Sequence, residues 1–139
     1  MSTNSAGRSL STSTDSLLRL AIRLDATGTG LLGLAATAFA HSLSRLSGLT
    51  LTQIYISAVA FVLYGIVGNL LAARPLIRRI GTGLSAFNFV GTAAAFVIVA
   101  SAILPLTDAG KAIVLGCGVY TLFFGLLQLV AVRRLPALG

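Results

Sequence analysis

In 139 residues the chain has no tryptophan or glutamate, one cysteine, one histidine and three prolines. Each scarcity excludes something. With Cys117 alone an intrachain disulfide is impossible, which leaves a small packing residue. With His41 alone, bis-histidine haem ligation within one chain is impossible, and a metal site would need ligands from several copies. The only acids, Asp15, Asp25 and Asp108, form no close carboxylate pair in sequence. Nothing therefore points to hydrolysis, metal catalysis or nucleophilic chemistry, and no enzyme, cofactor or metal site is expected.

Charge is also scarce, at 9% of residues, whereas about a quarter is usual in soluble domains. In its place the chain is 56% hydrophobic, with a mean hydropathy of +0.97. After residue 23 the sequence is almost filled by four apolar stretches of about 20 residues, the length a helix needs to cross ~30 Å of hydrocarbon. The expectation is all-α, a four-transmembrane-helix up-down-up-down bundle. Its spans lie at about 24–41, 52–73, 84–104 and 110–132, within a transmembrane domain of 17–134. Short connections make sequence neighbours antiparallel neighbours. Pro75 and Pro105 each follow a span end, where a missing N–H does least harm. The Ser- and Thr-rich stretch 1–16 reads as a disordered cytoplasmic tail, not a cleaved signal peptide, and 135–139 as a second tail.

The net charge of +7 and pI near 11.2 come from basic residues placed at span ends, so they speak for topology and anionic lipid headgroups and not for nucleic acid. Arg8, Arg19 and Arg23, then Arg74, Arg78 and Arg79, then Arg133 and Arg134 fall on one side, and only Arg45 and Lys111 on the other. By the positive-inside rule both termini and the middle loop are cytoplasmic, which predicts a multi-pass plasma-membrane protein, N-in and C-in. A shift of about 60 residues lays span one on span three and span two on span four, pairing Arg19 with Arg79 and Gly65 with Gly125, as a duplicated hairpin would.

Gly28-Thr29-Gly30-Leu31-Leu32-Gly33 spells the dinucleotide fingerprint, but inside a span it has no strand-to-helix turn, and no acid about twenty residues later to hold a ribose. Its glycines serve close helix approach instead. Gly30 and Gly33, Gly65 and Gly68, Gly91, and Gly125 lie on small-residue seams, one on each span. They either pack the bundle or meet another protomer or partner subunit.

Asp25, the one acid at the edge of a span, needs a partner, since a charge at the centre of a membrane costs about 2.5–3.5 kcal/mol on insertion scales. Helical geometry turns it away from Arg23 and Arg19, so Arg74, Arg78, Arg79, Arg133 or Arg134 is the expected mate. A proton or ion relay and solvation among headgroups are the alternatives. Asn69, Asn88 and Gln128 should lie at similar depth, ~7.5 Å inside the cytoplasmic boundary, and form with Asp25 a polar layer. That layer serves either as structure or as a cavity for a headgroup, a quinone carbonyl or a small solute.

The run Leu18-Arg19-Leu20-Ala21-Ile22-Arg23-Leu24-Asp25-Ala26, followed by Thr27-Gly28 and Gly33-Leu34, resembles the opening of small four-helix integral membrane proteins of actinobacteria. Asn88 near the start of span three, and Leu127-Gln128 before Arg133-Arg134, match further features of that group. The resemblance implies the fold and a bacterial plasma membrane, and no mechanism. Leu31 and Leu32 replace a more polar pair there, which argues against the first span lining a site. The leading expectation is a non-enzymatic accessory or oligomer-forming subunit of a larger membrane assembly. The alternatives are a small transporter or channel using the polar layer, and a quinone- or lipid-handling subunit.

Overall fold

A computed structural model describes the backbone of residues 3–136 and the side chains of residues 15–136. Among the described residues every regular element is helical: α1 (Thr3–Ala38), α2 (Ala40–Ser47), α3 (Leu51–Ala72), α4 (Ile77–Ser101) and α5 (Asp108–Arg133). Three of them, α3, α4 and α5, are long and apolar enough to cross a membrane. The fourth long helix, α1, is diluted by Arg19, Arg23 and Asp25 and by its run of glycines and threonines.

Local chemistry sets most of the boundaries. Thr50 caps α3 through a reciprocal pair, its hydroxyl accepting from the Gln53 N–H at 3.2 Å while the Gln53 side chain accepts from the Thr50 N–H at 2.9 Å. Thr107 caps α5 by accepting from the Gly110 N–H at 2.9 Å. Gly48, at φ 83, ends α2 in the left-handed conformation that glycine adopts without a Cβ penalty.

The expectation for the N-terminal stretch changes. The stretch 1–16, read as disordered, is helical from Thr3, because a helix nucleated by the apolar run from Leu17 extends upstream at small cost per residue. Met1 and Ser2 lie outside the described residues, as do 137–139 of the C-terminal tail. The first short connection contains a helix of its own, α2. Phe39 bends the chain but keeps the ladder, donating to Ala35 and accepting from Leu43, both at 2.9 Å. α2 then covers one end of the bundle, where the Thr107 N–H donates to the Ser47 carbonyl at 3.0 Å and the Thr107 hydroxyl to that of Leu46. Span three also begins earlier than 84, at Ile77, because Arg78 and Arg79 sit on the helix itself.

Two antiparallel hairpins make the bundle, α1 on α3 and α4 on α5, with α1 also against α5 and only sparse contact between α3 and α4. The first hairpin is set by glycine. A methyl on Gly65 would lie 2.8 Å from the Gly30 Cα, one on Gly33 2.7 Å from the Ala58 carbonyl, and one on Gly68 2.6 Å from the Ala26 Cβ. In the second hairpin Gly125 faces Asn88 and Phe89, Gly118 faces Ala95, and Gly91 faces Thr121 at ordinary contact distance. Gly65 and Gly125 thus each stand at a close approach within their own hairpin.

The distribution of polarity inverts that of a soluble domain. Gln128, Asp25 and Ser85 are among the largest fully buried side chains, while Val90, Ile56 and Leu31 are 60–67% exposed. Small residues bring the backbones together, so dispersion and interior hydrogen bonds hold the helices where lipid supplies no hydrophobic drive. An apolar cluster of Leu18, Ile22, Ala72, Ile77, Ala131 and Val132 closes the end opposite α2.

Candidate functional site

Each of the four long helices sends one polar side chain to the same point. Asp25 of α1 is 1% exposed, and its Oδ2 accepts from the Tyr64 hydroxyl of α3 at 2.6 Å, the Asn88 amide of α4 at 2.9 Å and the Gln128 amide of α5 at 2.8 Å. Asn88 also donates to the Gln128 Oε1 at 3.1 Å. The orientation of both amides follows from chemistry. A carboxylate oxygen ringed by three partners requires an N–H or O–H from each, and turning either amide over would set oxygen against oxygen. Asp25 Oδ1 has one longer contact, from the Thr29 hydroxyl at 3.4 Å. The Asp25 main-chain carbonyl accepts from the Tyr120 hydroxyl at 2.8 Å.

No cation takes part. The expected arginine partner of Asp25 is absent because the basic side chains sit at the helix ends, while Asp25 faces the axis of the bundle a turn or more inside. Arg19 does bind α3, but through its C-terminus, donating to the Ala72 carbonyl at 2.5 Å and that of Arg74 at 3.0 Å, and its acid is Asp15 at 2.9 Å. Arg78 clamps the end of α5 in the same way, through the Leu135 carbonyl at 2.8 Å. Both satisfy carbonyls that a helix end leaves open. Arg23, Arg74, Arg79, Arg133 and Arg134 are exposed. Three neutral donors thus take the role assigned to a guanidinium.

Of the expected polar layer, Asp25, Asn88 and Gln128 meet and Asn69 does not. Asn69 is exposed on the flank of the α1–α3 pair, donating to the Gly65 carbonyl at 2.8 Å and to the Thr27 hydroxyl at 3.3 Å. Its distance from Arg74 matches that of Gln128 from Arg133, but its azimuth differs, and depth alone does not decide which way a side chain points. Asn88 lies about 16 Å along α4 from Ile77 at 1.5 Å per residue, and its 3.1 Å bond to Gln128 sets the two amides level with each other. Tyr64 and Tyr120 could be placed within or near the spans from the sequence, which gave neither a partner. The available signal was that neither lies at a span end, where tyrosines of an aromatic belt belong, so each hydroxyl needed a partner inside.

Beside this cluster is a cavity of ≈ 300 Å³ to which all four long helices contribute. Leu32, Phe61 and Phe87 give it apolar walls, and Thr29, Tyr64, Asn88 and Tyr120 its polar floor. Leu32 and Thr29 belong to α1, so α1 borders the cavity despite the apolar pair Leu31-Leu32. Cys117 and Thr121 of α5 border the cavity as well. The Tyr64 ring stacks on Phe87 with centroids 5.7 Å apart, across the sparse α3–α4 junction.

No protein-family model, curated protein or solved structure matches the chain. What the site can do must be read from its own groups. Among the described residues no three histidine, cysteine or acidic side chains gather as metal ligands, and no buried side-chain nitrogen or oxygen lacks a hydrogen-bond partner. The arrangement is a carboxyl group held by three donors, next to a space of ≈ 300 Å³, within the size range of small-molecule pockets.

Proposed function

We propose that the chain is a non-enzymatic integral membrane protein, spanning the plasma membrane four times with both termini cytoplasmic, whose bundle holds a small, largely apolar molecule with a polar head. The single observation that carries this reading is the ≈ 300 Å³ cavity with apolar walls and a polar floor organised by Asp25. It is the transport or ligand-handling alternative of the sequence analysis that the geometry favours. The glycines of the small-residue seams are occupied within the chain, so they lend no weight to an oligomer-forming subunit.

Four spans are supported by the company α1 keeps. It runs antiparallel to α3 from Arg19 beside Ala72 to Gly33 beside Ala58, so a membrane crossed by α3 is crossed by α1. The orientation rests on the arginines at the Ala72–Ile77 turn and at the end of α5. There Arg74 and Arg79 border a surface hollow that suits anionic headgroups. The resemblance to small actinobacterial membrane proteins fits a bacterial plasma membrane.

The test is extraction of the protein under mild conditions and native mass spectrometry of the wild type and of Gly91→Leu, whose side chain would occupy the cavity. A small molecule bound to the wild type and lost from a folded Gly91→Leu protein is the expected result. Equal retention by both, or no bound species in the wild type across several lipid-like extractants, overturns the proposal.

A further inference from the structure

Resting on the reading of the cavity as a binding site, we infer that its occupant carries a hydrogen-bond-donating and preferably cationic head, such as a primary ammonium or amidinium, on an apolar body. The argument counts protons on the floor. The Tyr120 hydroxyl has one hydrogen, and a main-chain carbonyl can only accept, so that hydrogen is committed to Asp25 and the phenol oxygen is left as an acceptor. The Tyr64 hydroxyl gives its hydrogen to Asp25 Oδ2 and so can only accept further, with one long contact from the Asn88 amide at 3.5 Å. Asn88 spends its amide hydrogens on Asp25 Oδ2 and Gln128 Oε1, and its side-chain oxygen accepts from none of the described residues. The Thr29 hydroxyl faces Asp25 Oδ1 and Tyr120 Oη, each at 3.4 Å.

Further along, the Thr121 hydroxyl donates to the Gly118 carbonyl at 3.0 Å and shares a 2.8 Å contact with that of Thr92. Asp25 and the backbone therefore take up the strong donors beside the cavity, and the side-chain oxygens of Tyr64, Tyr120 and Asn88 are left only to accept. A ligand with only acceptors, a carboxylate or a quinone carbonyl, would meet oxygen with oxygen. A ligand with donors completes the set.

Charge points the same way. Asp25 is the only acidic side chain among the buried residues and has no cationic partner among the described residues, and Phe61, Tyr64, Phe87 and Tyr120 line the cavity with aromatic groups, a class of side chain that attracts cations. The ligand need not touch Asp25, which is covered by Tyr64 and Asn88. Asp25 acts as a positioning residue that fixes which atoms its neighbours present.

Cys117, the sole cysteine, borders the cavity and reports its occupancy. The purified full chain in zwitterionic lipid nanodiscs is labelled with N-ethylmaleimide in the presence of three probes of matched bulk: para-tert-butylbenzylamine, the corresponding benzyl alcohol and the corresponding benzoate. The amine is expected to slow labelling at concentrations about tenfold lower than the benzoate, with the alcohol between them. A Val97→Cys, Cys117→Ala protein, whose thiol lies at an exposed position, should show no such order and separates occupancy from partitioning into lipid.

Tyr120→Phe, which keeps the ring and removes one acceptor, should weaken protection by the amine severalfold and leave benzoate unchanged, with helical content retained by circular dichroism. Benzoate protecting as well as the amine overturns the donor-head inference and leaves the binding site standing. Protection by none of the three removes the binding site and this inference with it.

Discussion

Replacing Asp25 by leucine removes the one acceptor on which three helices converge. Tyr64, Asn88 and Gln128 then each lose a bond of 2.6–2.9 Å in the interior of the bundle. Hydrogen bonds between membrane helices contribute ~0.6–2 kcal/mol each, and bonds to a charged group stand at the upper end, so losing three of them costs about 2–6 kcal/mol. Asp25→Asn is the informative contrast. An asparagine oxygen in the place of Oδ2 accepts the same three donors, and its amide nitrogen takes the place of Oδ1, which has only the 3.4 Å contact to Thr29. The expected cost is about 1 kcal/mol or less, since the three donors keep an oxygen acceptor in the same place.

The assay is reversible unfolding in bicelles or mixed micelles, followed by circular dichroism, of the wild type, both single variants and the Asp25→Leu, Gln128→Leu pair. The pair should cost clearly less than the two single changes added together, because the second removes a donor the first had already stranded. Leucine at position 25 proving as stable as aspartate, with additive behaviour in the pair, would refute the view that this network joins the helices.

The remaining predictions concern packing, helix ends and topology. Gly65→Leu should destabilise the fold by at least about 2 kcal/mol, because a Cβ there meets Gly30 and the Ala26 carbonyl at 2.8 Å, whereas Gly83→Ala and Gly116→Ala, with nothing within 4 Å, should be neutral or slightly stabilising in the same unfolding measurement. Arg19→Gln should cost about 1–2 kcal/mol through the released carbonyls of Ala72 and Arg74, while Arg23→Gln, exposed on the same helix, should leave stability unchanged. In a Cys117→Ala background, a thiol introduced at Ser42 should react with a membrane-impermeant maleimide added outside intact cells, and one at Thr82 should react only after permeabilisation. The reverse pattern would invert the orientation.

Hydropathy carried the helical class, the approximate extent of α3 and α5 and the membrane character, because a chain in lipid must satisfy its backbone internally over ~30 Å and so writes its spans as long apolar runs. It was less informative where helices outrun the apolar stretch: α4 starts at Ile77 on a basic turn, and α1 continues back to Thr3. Spacing also singled out the close-approach glycines, because steps of three and four along a helix place residues on one face.

By itself, then, the sequence determined that Asp25 needed a partner, since no acid is buried without one, and that small residues would let helices touch. Which partner it has was decided only by tertiary structure. The azimuth of each helix turns Tyr64, Asn88 and Gln128 inward and Asn69 outward, and leaves Arg23, Arg74, Arg79, Arg133 and Arg134 exposed, and azimuth depends on how all four helices pack at once. The cavity is a property of the same packing: an empty volume belongs to no residue, so no local pattern in the chain encodes it.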